Sequence, residues 1–310
     1  ILAGTVLTGC SRADDLVQEQ TETENYALTV FTAQERKEWE PVIKEVEERT
    51  GWNVRVETGS AKEMLSQLEK EEADWDVAFG VSADALEEGK EYWQTGKDAW
   101  TGYSAVSFVI LYNTNVVTYR ELPTGWDSLL EPRWKGRVAV PDPLKSDMAA
   151  SVLTEAAKNS EKEEFLDLLA ENMQYQMPET FKEVEQGISD GRYSIGVTSE
   201  EAAKAMLAAG QDVDYIDPEE GECFFEDGTA IRKRTPNLDA SEAFVTYTTC
   251  DDTKWLLRTQ LLRQPAEDVS AENDRSDEEL KQRYSRQQEV LNFWKLIMEE
   301  KSGSAHEQEQ

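Results

Sequence analysis

The chain of 310 residues carries 64 Asp and Glu against 32 Lys and Arg, a formal net charge of −32, with 39% hydrophobic residues and nine tryptophans. That length and apolar content allow two domains or one large one around a sizeable core. The charge repels nucleic-acid phosphates and anionic lipid, which excludes both as partners, and no stretch reaches the roughly 18–20 apolar residues of a membrane-spanning helix.

In chain order, Ile1 to Gly9 is an apolar stub that gives way abruptly to "CSRADDLVQEQTETEN". Residues 1–10 read as the rear of a clipped signal segment. Leu7-Thr8-Gly9-Cys10 is similar to a bacterial lipobox, which makes Cys10 the expected lipidation site and residues 11–25 an acidic, flexible tether. The other cysteines, Cys223 and Cys250, show no metal-ligand spacing and leave open whether they pair. The single histidine, His306, falls in the polar tail 301–310, expected to be disordered. The folded part therefore lacks the commonest general base and metal ligand, and Ser-His-Asp or Cys-His catalysis is excluded.

The fold begins at "YALTVFTAQ", a strand, followed by "ERKEWEPVIKEVEERTG", a helix with Trp39, Ile43 and Val46 on one face and Gly51 as its stop. "WNVRVETGS" is a second strand leading to a helix with Met64, Leu65 and Leu68, and "WDVAFGVS" a third leading to "ADALEEG". Strand, small-residue loop and helix, three times over, predict a parallel α/β sheet. Ligands of such sheets sit beyond the carboxyl ends of the strands. There the three loops offer Thr32, Gly59, Ser60 and Ser82, each of which is equally an ordinary helix cap.

"YSAVSFVILYNTNVV" is an extended apolar segment, and "LPTGWDSLLEPRWKGRVAVPDP" turns the chain before the helix "KSDMAASVLTEAA", with Ser146 or Asp147 near its start. "GRYSIGVTSEEAAKAMLAAG" repeats the strand–hydroxyl–helix pattern with Thr198 and Ser199. The charged finish carries an apolar stripe of Val290, Leu291, Trp294, Ile297 and Met298.

"VILYNTNVV" and "LPTGWDSLLEPRWKGRVAVPDPLKSDMAASVL" resemble the middle of bacterial extracellular solute-binding proteins of the ferric-iron and 2-aminoethylphosphonate branch. "DGRYSIGVTSEEAA", "PNLDASEAFVTYTTCDD" and "LLRQPAEDV" extend the resemblance over roughly residues 26–298. The last is similar to an Arg-rich family ending, with Gln264 and Glu267 at two of its basic positions. The resemblance implies an α/β, two-lobed periplasmic-binding-protein type II fold with a ligand cleft between the lobes. Lobe one would comprise 26–110 and 226–300, lobe two 111–225, with strands crossing near Ser104–Tyr112 and Gly221–Ile231. It also implies an extracellular or periplasmic receptor, monomeric, that passes a small molecule to an ABC-transporter permease and touches the membrane through the lipid on Cys10 alone.

Closure needs donors from both lobes. The candidates are Thr32, Gly59, Ser60 and Ser82 from one, Ser146, Thr198 and Ser199 from the other. Hydroxyls and amides at helix starts suit oxyanions, so a phosphonate or phosphate ester is the expected ligand. An organic cation such as a polyamine or thiamine, boxed by Trp93, Trp100 or Tyr103, is second. Ferric iron is third: the sequence has no Tyr-Tyr pair, and Tyr193 or Tyr247 could contribute only singly. No catalytic residue, metal site or cofactor is expected. The rival classes are a carboxylate-dependent extracellular hydrolase and a surface adhesion or scaffold protein.

Overall fold

The structure is a computed structural model that describes residues 27–94, 99–269 and 276–308, with side chains through residue 300. Cys10, the signal segment and the tether lie outside the described residues.

Strand β1 (Leu28–Thr32), helix α1 (Arg36–Thr50), β2 (Val54–Thr58), α2 (Ala61–Glu69), β3 (Val77–Ser82) and α3 (Ala83–Glu88) alternate as the hydrophobic periods require. Each return from one strand to the next passes through a helix, so β1 pairs in parallel with both β2 and β3. Gly51 closes α1 in the left-handed conformation, φ 70°, where a side chain would be strained.

There follow β4 (Thr101–Asn113), β5 (Val138–Ala139), α4 (Asp147–Asn159), α5 (Phe165–Asn172), α6 (Phe181–Ser189), β6 (Ile195–Ser199), α7 (Glu200–Ala208), β7 (Val213–Ile216) and β8 (Cys223–Ile231). The chain ends with α8 (Leu238–Thr248), α9 (Asp251–Leu256), β9 (Gln264–Pro265), α10 (Ala266–Val269) and the long α11 (Asp277–Gln308). The sheet order is β2-β1-β3-β8-β4-β6-β5, with β7 and β9 also paired to β4.

Two lobes share this sheet. Lobe one is cored by Leu28, Phe31, Val46, Trp75 and Phe79, lobe two by Trp126, Leu153, Phe165, Ile188 and Val197. The antiparallel pair β4–β8 runs through both: Tyr103 and Ala230 belong to lobe-one clusters, Phe108 and Phe225 to a lobe-two cluster. Two paired strands give a stiff ribbon that bends more readily than either packed core, which is the geometry of a hinge.

Helix α11 departs from the expected boundaries. Residues 226–300 read as lobe one, yet Trp294 and Ile297 are buried in the lobe-two core while Tyr284 packs on lobe one. The helix thus straddles both lobes. Its backbone also remains helical to Gln308 rather than ending in a disordered tail at 301. Cys223 and Cys250 are free thiols and do not pair.

Candidate ligand cleft

Between the lobes lie two adjoining pockets that share Glu35. The larger, about 460 Å³, is walled by the ends of β1 and β2, the start of α2, residues 143–147 ahead of α4, and one face of α11. The smaller, about 260 Å³, lies between α1, α6, α7 and the Gln260–Arg263 turn. The larger falls in the size range of small-molecule sites.

Of the seven residues expected to bind, Thr32, Gly59, Ser60 and Ser146 line the larger pocket and Ser199 the smaller. Ser82 and Thr198 line neither. Ser82 is buried and caps α3 by accepting from the Ala85 amide, while Thr198 is buried and donates to Glu185 Oε1 at 2.9 Å. Most of the remaining hydroxyls are also occupied. Ser60, Ser146 and Ser199 accept from the Glu63, Ala149 and Ala202 amides as helix caps, and Thr32 accepts from the Gln34 amide. These side chains satisfy the first turns of their helices.

Charge distinguishes the cleft from the rest of the molecule. In a chain of net charge −32, the two pockets are lined by six cations (Lys37, Lys62, Lys145, Lys182, Arg263, Lys295) and four carboxylates (Glu35, Glu38, Asp147, Glu185). The smaller pocket neutralises itself: Lys37 pairs with Glu35, Lys182 with Glu185, and Arg263 with Glu38. At the larger, Lys145 and Lys295 reach carboxylates only at 3.6 and 3.8 Å, with Glu179 and Glu299, which line neither pocket. Lys62 beside them forms no ion pair among the described residues. The surplus positive charge therefore sits at the mouth of the larger pocket.

Beside the cleft, Gln34 and Arg263 connect its two pockets to a buried polar network. Asp227, fully buried where β4 and β8 cross, accepts from the Ser104 amide and hydroxyl, from Gln34 Nε2 at 2.9 Å and from Arg263 at 2.7 Å. Burial raises the Asp227 carboxyl above its ordinary value, against the pull of Arg263, Ser104 and Gln34. Burial works against the Arg263 charge too, but Glu38 and Asp227 outweigh it and the guanidinium is held protonated. Because Gln34 Nε2 must face the carboxylate, the orientation of this amide is determined, and its Oε1 is left as a buried acceptor without a partner. Gly80, φ 62°, makes room for it: a Cβ there would lie 2.3 Å from Gln34 Cδ.

Behind the cleft, Arg283 of α11 joins the lobes. Its Nε lies 3.6 Å from Asp84 on α3 and 3.1 Å from Glu155 on α4, and it donates to Ser151 and the Phe224 carbonyl.

The residues expected for other ligands point elsewhere. Trp93 is buried with Nε1 donating to the Leu86 carbonyl, Trp100 donates to Glu87, and Tyr103 stacks edge-on against Phe79 at 4.7 Å. All three pack within lobe one and form no cation box. Tyr193 and Tyr247 pack against hydrophobic clusters outside both pockets. Among the described residues no group of three His, Cys, Asp or Glu could hold a metal ion.

A family model described as bacterial extracellular solute-binding protein matches residues 80–288, more than half of the chain. The chain belongs to that family. Its members are solute receptors of ABC transport, working outside the cytoplasm and not as enzymes. The chain is 21% identical over 280 residues to Iron uptake protein A1 of Synechocystis sp., covering 80% of this chain and 78% of that protein. Among solved structures it is similar to the ferric binding protein from Campylobacter jejuni, with a TM-score of 0.69 and 16% identity over 86% of this chain and 99% of that one. It is also similar to the periplasmic binding protein AfuA from Actinobacillus pleuropneumoniae, solved with fructose-6-phosphate bound, with a TM-score of 0.64 and 15% identity over 77% and 83%. At such identities the structural likeness speaks for the two-lobed fold.

Arg263, Asp227, Gln34 and the three lysines escaped the sequence reading. Lys62 and Lys145 adjoin the hydroxyls that were singled out, in "TGSAK" and "PLKSD", and Arg263 is the basic residue that persists in "LLRQPAEDV".

Proposed function

We propose that this solute receptor captures a small organic anion, a phosphonate or phosphate ester, by lobe closure and delivers it to an ABC-transporter permease. The observation that carries the reading is the local excess of lysine at the mouth of a cleft in an otherwise strongly acidic chain. At physiological salt the screening length is about 8 Å, so nearby lysines outrank distant carboxylates. The receptor works as a monomer, held at the outer face of the membrane by lipid on Cys10.

Iron is named in two of the relatives. For this chain it would require hard oxygen ligands, and among the described residues Tyr284 is the one tyrosine that lines either pocket. A thermal-shift screen with phosphonates, sugar phosphates, polyamines, thiamine and ferric citrate tests the reading. A ligand at about 100 times its dissociation constant adds about 2.7 kcal/mol of stability. The expected hits are phosphonates or phosphate esters, weakened by Lys62→Ala and Lys145→Ala. Shifts confined to polyamines, thiamine or ferric citrate would overturn it.

A further inference from the structure

The start of α2 is the obvious oxyanion cradle of lobe one, but the protein fills it. The Ser60 amide donates to Glu63 Oε2 at 2.8 Å, and the Glu63 amide donates to Ser60 Oγ at 3.2 Å. The amide between them, Ala61, donates at 3.0 Å to Oδ2 of Asp147, a residue 86 positions away that begins α4 in lobe two. The Asp147 carbonyl in turn accepts from Gln287 Nε2 of α11 at 3.1 Å. One residue of lobe two is thereby tied to lobe one by its side chain and to the straddling helix by its backbone, at the wall of the larger pocket.

A carboxylate against the amides of a helix start makes the interaction that a bound oxyanion would make. Supplied by the opposite lobe, it has two consequences. This hydrogen bond exists only when the lobes are close, so it contributes to the stability of the closed arrangement. An anionic group of the ligand is also turned away from the α2 end, which is already occupied and now presents a like charge. Burial adjusts the cost of this arrangement without cancelling it: it raises the Asp147 carboxyl, as does neighbouring Glu63, while the Ala61 amide draws it back.

We propose that Asp147 is the closure and selectivity residue of the cleft, an internal anion that seats lobe one on lobe two and reserves the α2 start against a second anionic group of the ligand. The selectivity half rests on the anionic-solute reading above; the closure half does not.

The test uses the full chain with Asp147→Ala and Asp147→Asn. Small-angle scattering without ligand reads closure, and calorimetry with inorganic phosphate and pyrophosphate reads selectivity. Both anions draw on the same closed state, so the ratio of their dissociation constants cancels the energy of closing. Asp147→Ala is expected to enlarge the radius of gyration and to shift the ratio in favour of pyrophosphate by roughly tenfold, the scale of a charge at a helix end. Asp147→Asn keeps an acceptor for the Ala61 amide but no charge, so it should shift the ratio while staying nearly as compact as the wild type. An unchanged radius of gyration in Asp147→Ala overturns the closure half, and an unchanged ratio in both variants overturns the selectivity half. If the wild type binds neither anion, the anionic-solute reading fails and the selectivity half falls with it. The scattering result then decides the closure half alone, for it if Asp147→Ala expands and against it if it does not.

Discussion

Replacing Arg263 with Met removes the one full positive charge on the buried Asp227. Arg263 and Asp227 are 4% and 0% exposed and 2.7 Å apart, and the same guanidinium bonds Ser104 Oγ and Glu38 Oε1 at 2.9 Å. Breaking a buried ion pair by removing one partner costs roughly 3–5 kcal/mol. Ser104 and Gln34 continue to donate to the stranded carboxylate, which places this case near 3 kcal/mol at pH 8. Without Arg263 the Asp227 carboxyl, already raised by burial, rises further. An acid whose folded pKa lies above its unfolded value, about 3.9, binds extra protons in the folded state, so its penalty is full above the folded pKa and fades as pH falls through it. Urea denaturation at pH 8 and pH 5 should therefore show a smaller loss at the lower pH. Adding Asp227→Asn should restore part of the loss at pH 8, because the stranded charge is gone. A cost below about 1 kcal/mol at pH 8, equal at both pH values, would refute the claim that this pair is buried and coupled.

Two further outcomes follow from the same structure. Asp84, buried beside Arg283 and Glu155, is pushed up to about 6 by burial. Its contribution is thus favourable at low pH and is lost between about 4 and 6 as pH rises; Asp84→Asn should flatten the stability slope there by about 3 kcal/mol in all, and an unaltered slope in denaturation at pH 4.5 and 7 would sink the assignment. Ser60→Ala should cost about 1 kcal/mol of stability through the lost α2 cap and change ligand affinity by less than about twofold, which calorimetry reads; a larger loss of affinity would show that the hydroxyl meets the ligand.

The parallel half of the sheet was legible because its information is local. Each of β1, β2 and β3 alternates or fills with apolar residues and stops at a small residue that caps or precedes a helix. Helix α11 shows where local information ends. Its stripe of Val290, Trp294, Ile297 and Met298 does pack, as periodicity says, but against lobe two, while Leu291 of the same stripe lines the larger pocket. A stripe states that a face is buried and not what buries it. The tie to two lobes comes from Arg283 and Tyr284 at one end and Trp294 at the other, contacts made across more than a hundred residues of sequence.

Most of the hydroxyls read from the sequence line the two pockets but are engaged as helix caps, for one reason. A hydroxyl at the end of a strand and the start of a helix meets unpaired amides in its own chain before it meets any ligand. Ser60, Ser82, Ser146 and Ser199 all answer that nearer demand. What remains for a solute is whatever the chain has not satisfied internally. Among the described residues the Lys62 ammonium has no ion pair, Lys145 and Lys295 are only loosely paired at 3.6 and 3.8 Å, and the Gln34 carbonyl has no donor, because the neighbouring Asp227 carboxylate can only accept. On the reading proposed above, the lysines meet the anion. Asp147, already spent on the Ala61 amide, keeps the α2 wall from asking for a second anion.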